Sequence, residues 1–238
     1  MTGHSRSRWI FLACALATAA VCVRLGVWQV QRHIARNEAN VFARMIRSDG
    51  FRPYPDSVHT LAPEVGVLLR GSFDQDREYV IRGRAHDGAP GVEIATPFRL
   101  AGHDEAIIVI RGFVPSDDAM SVDLATLHEP GERTIRGVLF PLPLDGAPIV
   151  RNGDTTWNRV PGTWIQVHSS YPVAAFALWQ EKDSGMAAMP MRLGAPKLDK
   201  GPHLNYALQW FAFALIFGGG GIAFALRKRD ERRENAVP

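Results

Sequence analysis

Gly201-Pro202-His203-Leu204-Asn205-Tyr206-Ala207-Leu208-Gln209-Trp210 leads directly into an apolar run that closes at Arg227-Lys228-Arg229. From Leu204 to Leu226 the chain carries no formal charge for 23 residues, and a helix rising about 1.5 Å per residue crosses a bilayer in that length. The stretch predicts a membrane span. Its polar residues crowd into the first two turns, where Tyr206 and Trp210 suit the headgroup level and Pro202 can open a helix. On that helix His203, Tyr206 and Trp210 recur at i, i+3 and i+7 and share a face, with Asn205 and Gln209 on an adjacent stripe. The start of this helix therefore reads as a binding end.

Working outward, the 238 residues, 46% of them hydrophobic, suit one domain of roughly 150–170 residues plus membrane segments. The net charge of +3 is uneven. Residues 1–31 hold 3 basic and no acidic residues, residues 32–202 hold 19 and 21, and residues 203–238 hold 5 and 3. The basic excess is terminal, and no basic stripe interleaved with aromatics marks a nucleic-acid face. Cys14 and Cys22, the only cysteines, both lie in the N-terminal apolar run, which leaves the middle of the chain without a disulfide framework or a cysteine metal site.

That N-terminal run extends from Trp9 to Val23 and continues past Arg24 to Trp28. It fits a retained span with Trp9 and Trp28 as interfacial aromatics and Arg24 snorkelling outward, and it also fits a signal peptide with small residues at Ala17-Thr18-Ala19. Charged residues among Ile34, Phe42, Met45 and Ile46 extend the helix as an amphipathic stalk to about Arg47, and Asp49-Gly50-Phe51-Arg52-Pro53-Tyr54-Pro55 breaks it. Strand texture follows at 67–73, 78–84, 91–98, 105–114 and 133–140, with weaker candidates at Thr163–His168, Phe176–Gln180 and Met189–Leu193. The Arg-Gly pairs at 70–71, 82–83, 111–112 and 136–137 mark bulges or bends where a small sheet curls. The expected fold is α+β: two transmembrane helices flanking a mainly antiparallel, barrel- or sandwich-like β domain.

The segments are 1–8, a cytoplasmic N-terminus; 9–30, the first span; 31–202, the β-rich domain with its stalk; 203–226, the second span; and 227–238, a basic cytoplasmic tail. Arg6 and Arg8 before the first span and Arg227, Lys228 and Arg229 after the second place both termini in the cytoplasm and the β domain outside it. Packing of the two spans would bring Trp28, Gln29 and Arg32 toward His203, Tyr206 and Trp210. His86, His103, His128 and His168 read as surface residues without a paired ligand, and Gly218-Gly219-Gly220-Gly221 as a site of close helix packing or local flexibility. Gly-x-Ser-x-Gly, His-Glu-x-x-His and Cys-x-x-Cys are absent, so hydrolase and thiol-exchange readings have no anchor.

Leu25-Gly26-Val27-Trp28-Gln29-Val30-Gln31-Arg32 and His203-Leu204-Asn205-Tyr206-Ala207-Leu208-Gln209-Trp210-Phe211, at the outer ends of the two spans, resemble the Surfeit locus 1 family of cytochrome oxidase assembly proteins. Leu69–Phe73, Gly91–Phe98, Arg111–Pro115 and Gly131–Gly137 extend the resemblance along the chain in order. Two departures stand out. Ile110 and Phe113 flank the fourth strand's Arg-Gly, where the family has Asn and Trp, and Trp157-Asn158-Arg159 lacks the family's following acidic residue. These put in doubt functions assigned to the β domain's surface.

The resemblance implies a non-enzymatic chaperone of the respiratory chain. It would sit in a bacterial inner membrane with the β domain on the periplasmic side and help insert haem a into a haem-copper oxidase core subunit. Its partners would be that subunit, the haem a synthesis machinery and membrane lipid. It makes His203 the candidate iron ligand. Trp28, Tyr206 and Trp210 are the candidate aromatic lining, and Arg32 or Arg24 the propionate partner. Taken alone, His203 also suits a helix cap. A cofactor-free scaffold that grips and shields the core subunit is the second reading, and a tethered periplasmic enzyme the third.

Overall fold

The computed structural model describes residues 3–54, 63–151 and 154–234, which form two compact units, Met1–Phe42 with Leu198–Pro238, and Ala43–Lys197. Helix α1 runs unbroken over Gly3–Ser48 and helix α3 over His203–Glu234. Both contain stretches long and apolar enough to cross a membrane. The expected stop near Arg47 falls at Ser48, where Gly50 adopts φ +78°; Pro55 lies outside the described residues. Helix α3 does not end with the apolar run but continues into the basic tail, to Glu234.

Among the described residues, nine strands make up the β unit: β1 (Phe51–Pro53), β2 (Gly66–Phe73), β3 (Tyr79–His86), β4 (Ala89–Leu100), β5 (Ala106–Pro115), β6 (Arg133–Pro141), β7 (Pro148–Arg151), β8 (Asp154–Trp157) and β9 (Val173–Gln180). Pairings β2–β6, β6–β9, β9–β5, β5–β4 and β4–β2 close a five-stranded ring, to which β3, β8 and β7 add an extension beyond β4. The ring is antiparallel except for β5–β9. Closure pairs each of these five strands on both sides, while β1 and β7 form the margins of the sheet.

Strand β5 explains why its sequence reads as a nearly continuous apolar run rather than an alternation. Ile107 and Val109 join Leu69, Phe98, Ile135 and Leu139 in one core cluster, while Ile108 and Ile110 join Tyr79, Trp157 and Ile165 in another. Both faces are covered, and each such side chain contributes about 1.5–3 kcal/mol relative to exposure. The second cluster is roofed by helix α2 (Gly162–His168), where Thr163–His168 was a weaker strand candidate. Thr163-Trp164-Ile165-Gln166-Val167 can be counted with period 2, yet only Ile165 is buried, while Trp164 and Val167 face out as on a helix. Met189–Leu193 is likewise no strand, for it makes a single bridge, Phe113 to Met191.

The Arg-Gly pairs divide by role. Register shifts mark bulges at Ile81/Arg84, spanning Gly83, and opposite Ile94/Ala95, where Arg111 is the extra residue. Arg111 is fully buried, with Nη1 2.5 Å from Glu78 Oε1 and Nη2 2.9 Å from Glu129 Oε1. Arg133 and Arg192 also pair with Glu129, and the Thr96 hydroxyl donates to Glu78 at 2.9 Å. Burial pushes the Glu129 carboxyl up, but the Arg111 and Arg192 guanidinium groups outweigh it and hold the carboxyl below its ordinary value. A carboxylate depressed on folding stabilises above its unfolded pKa and loses that contribution as pH falls through the folded one. Thermal unfolding of the full chain in detergent should therefore weaken below about pH 4.5. In Glu129→Gln the acid limb should be flatter; an unchanged limb would remove Glu129 from the cause.

Candidate functional site at the start of helix α3

In the helical unit, α1 turns Leu12, Ala15, Ala19, Cys22, Gly26 and Gln29 inward at alternating spacings of three and four. The matching series on α3 is Ala207, Phe211, Ala214, Gly218, Gly221 and Ala225. The helices run antiparallel: the Phe11 and Phe224 rings lie 5.0 Å apart, Gly218 faces Ala19, and Gly26 faces Phe211. Small residues on both sides let the backbones approach. At Gly26 an added Cβ would lie 2.6 Å from Phe211 Cε1, so the Phe211 ring would have to swing aside.

The outer end of this seam is polar. His203 Nδ1 lies 2.9 Å from Gln29 Oε1. An amide oxygen only accepts, so in the neutral ring this contact places the proton on Nδ1 and leaves the lone pair on Nε2. Nε2 has no hydrogen-bond partner among the described residues. Gly201, at φ +69°, packs beside it, and an added Cβ there would approach Nε2 to 3.1 Å. The turn before His203 is held in place. The Asp199 carbonyl accepts from Asn40 Nδ2 at 3.0 Å and from Arg36 Nε at 3.2 Å, while its carboxylate accepts the Gly201 N–H at 3.0 Å. Asn40 is buried, and the Nδ1 of His33, one turn beyond Gln29, is buried without a hydrogen-bond partner among the described residues.

The expected lining assembles only in part. His203 meets Gln29, and Trp210 is half-buried with its ring 6.0 Å from Phe213. Trp28 and Tyr206, however, stand 50% and 49% exposed, and Arg32 is exposed with no ion pair among the described residues. Trp28 and Arg32 are i, i+4 neighbours, but their stripe is rotated off the Gly26–Gln29–His33 seam. Sequence reasoning missed Asp199, Asn40, Arg36 and Gly201. The three-four spacing of small residues on both helices was the available signal for the seam. Nothing in the sequence marks the Asp199 turn, since it closes over about 160 residues of chain.

In the β unit, His103 and His168 are exposed, and His168 stacks on Trp164 with centroids 4.3 Å apart. His128 Nε2 faces Glu78 Oε2 at 3.4 Å, and the His86 ring lies 5.7 Å from that of Phe113. Among the described residues no three His, Cys, Asp or Glu side chains are placed to hold a metal ion.

The family whose sequence pattern matches this chain is the SURF1 family, over residues 16–215, a stretch that takes in most of α1, the whole β unit and the His203 end of α3. The chain belongs to the SURF1 family. A SURF1-like protein of Monosiga brevicollis is 26% identical over 231 residues, covering 84% of this chain and 82% of its own. An uncharacterised SURF1-like protein of Mycobacterium bovis is 26% identical over 257 residues, covering 97% and 89%. One from Mycobacterium tuberculosis H37Rv matches to the same extent. SURF1 proteins are linked to oxidase assembly. Against that family, this chain's departures at Ile110 and Phe113 lie inside the core, 5% and 1% exposed, and Trp157 is buried beside Trp164. The first departure therefore lies in the interior, whereas the second falls at Asn158 and Arg159, both exposed, so the doubt over the surface of the β domain is lifted for the first alone.

Proposed function

We propose that this SURF1 protein is a membrane assembly factor that carries haem a to the core subunit of a haem-copper oxidase, with His203 as the ligand to the iron of its cargo. The supporting observation is the state of His203: Nδ1 is held by Gln29, and the Nε2 lone pair is unbonded and uncrowded beside Gly201. A neutral imidazole nitrogen of this kind suits an axial position on haem iron. The residues present fit that role in part: Tyr206, one turn along α3, and Trp28, beside Gln29 in the α1 sequence, are exposed and leave aromatic surface uncovered at this end of the helix pair. Arg32 is free among the described residues to meet a propionate. Both termini face the cytoplasm in this reading, so the β domain and the His203 end lie on the outer side of a bacterial inner membrane, where the haem a synthesis machinery and the oxidase subunit would be met.

The outward stance of Trp28 and Tyr206 favours a second reading, in which the helix pair grips the oxidase subunit without holding a cofactor. One substitution separates the two. Asparagine is accepted at a helix start about as well as other caps, whose loss costs about 0.5–2 kcal/mol, but it offers iron no suitable nitrogen. His203→Asn should leave membrane abundance near wild type while removing the Soret band from detergent-purified protein and lowering the yield of active oxidase. His168→Asn should be silent. Full oxidase assembly with a retained Soret band in His203→Asn would discard the ligand role.

A further inference from the structure

We infer that Gln29 is a positioning residue: it selects the tautomer of His203 that presents a lone pair to an incoming metal centre, and the Asp199 turn keeps that lone pair uncovered. The inference rests on the haem-ligand reading of His203 and adds to it a residue on the other helix. In a neutral imidazole the proton resides on either nitrogen, and the free lone pair is on the one without it. Without a partner His203 would divide between both tautomers, and the Nδ1-lone-pair form would direct its ligating atom toward α1. With the Gln29 oxygen facing Nδ1 at 2.9 Å, the neutral form with the proton on Nδ1 and the lone pair on Nε2 is the one that this contact favours. It also fixes the ring plane, because the acceptor sits on a helix held against α3 at Gly26 and Phe211.

The second half of the arrangement works from the opposite edge of the ring. Asn40 and Arg36 hold the Asp199 carbonyl, and the Asp199 carboxylate draws in the Gly201 N–H. This places a residue without a side chain against Nε2. Gly201→Ala would set a methyl group 3.1 Å from the ligating atom and strain a backbone at φ +69°. The two sides thus act on different atoms of one ring: Gln29 decides where the proton is, and Gly201 decides whether the other nitrogen can be reached.

The test uses full-length protein in mild detergent, titrated with ferric protoporphyrin IX at pH 8, and compares wild type with Gln29→Leu, Gln29→Glu and His203→Ala. Loss of an outer partner of a metal-ligating histidine lowers metal affinity by about 10–100-fold, and Gln29→Leu should weaken porphyrin binding by that factor. Gln29→Glu keeps an acceptor of greater basicity. It should hold the porphyrin about as tightly as wild type, with the haem midpoint potential displaced downward and the ferrous iron–histidine stretch moved to higher frequency. A merely structural role for Gln29 would not move those two signatures. Wild-type affinity and potential in Gln29→Leu, together with loss of binding in His203→Ala, would overturn the positioning role and leave the ligand role intact. Wild-type binding in His203→Ala would overturn both. Should Gln29→Leu fail to accumulate, Gln29→Glu decides alone, and an unchanged potential and stretch in it count against the inference.

Discussion

Replacing Arg111 by leucine is expected to cost about 3–5 kcal/mol of stability in the β domain, the range seen when one partner of a buried ion pair is removed. The cost comes from what is left behind. Glu78 and Glu129 have side chains only 1% and 6% exposed, and Arg111 is the guanidinium between them. Without it Glu78 keeps, among the described residues, the Thr96 hydroxyl and His128, which is itself 40% exposed and 3.4 Å away. The guanidinium also lies 4.8 Å from the Phe73 ring centroid and donates to the Leu127 carbonyl, so leucine would leave further groups unmatched. Against a total of about 5–15 kcal/mol for a typical domain, this loss is large enough to lower abundance as well as melting temperature. Arg70→Ala provides the contrast, because the Arg70–Glu132 pair is 76% and 53% exposed and such pairs contribute about 0–1 kcal/mol. Thermal unfolding of the full chain in detergent, followed by near-ultraviolet circular dichroism, should separate the two variants clearly. Equal midpoints would mean that the cluster around Glu129 is not a stabilising centre. Adding Glu78→Gln to Arg111→Leu should recover part of the loss, since it removes the charge left stranded, whereas Glu129 keeps Arg133 and Arg192.

The same arginine shows where sequence reading stops. Its Arg-Gly pair marked a bend in the sheet, and the bend is there, because Ile94 pairs with Gly112 and Ala95 with Ile110 while Arg111 has no partner on β4. That the bulge aims a cation into the interior depends on Glu78 and Glu129, 33 and 18 residues away in the chain, and no local pattern announces such a meeting. The five long apolar strands were legible because burial dictates their composition. The β7–β8 hairpin was not, since Pro148–Arg151 and Asp154–Trp157 are short and mostly polar or exposed, with Trp157 as their buried anchor. The expectation of a barrel or a sandwich was sound, but the pairing that closes the ring was not legible, because parallel β5–β9 joins strands separated by β6, β7, β8 and α2. At the His203 end, residue type misled. Aromatic and basic residues drew attention to Trp28 and Arg32, whereas close approach of two helices requires small ones, and Ala15, Ala19 and Gly26 select the face that meets α3.

Of the four consecutive glycines in α3, Gly221 should be the one that cannot be enlarged. A Cβ on Gly221 would come within 2.7 Å of the Ala15 Cβ, an atom fixed to the α1 backbone that no rotamer change can move aside. A Cβ on Gly219 or Gly220 would meet nothing within 4 Å. Flexibility would make the four positions equivalent, whereas packing makes them unequal, so the comparison decides between the two explanations for the run. Gly218 supplies the reporter. Its added Cβ would lie 3.5 Å from that of Ala19, within the roughly 3.5–4.5 Å span of a disulfide, so Ala19→Cys with Gly218→Cys should crosslink once Cys14 and Cys22 are replaced by serine. Overpacking a close contact costs roughly 1–3 kcal/mol, which lowers the crosslink-competent population by about 5- to 150-fold. Gly221→Leu should slow crosslinking by a factor in that range, and Gly219→Leu should leave it at the parent rate. The effect should carry to the other end of the seam as weaker porphyrin binding, because Gln29 reaches His203 only while α1 and α3 stay in register. Equal crosslinking rates in the two leucine variants would return the glycine run to a role in flexibility and leave the register of the helix pair to Gly26 and Phe211.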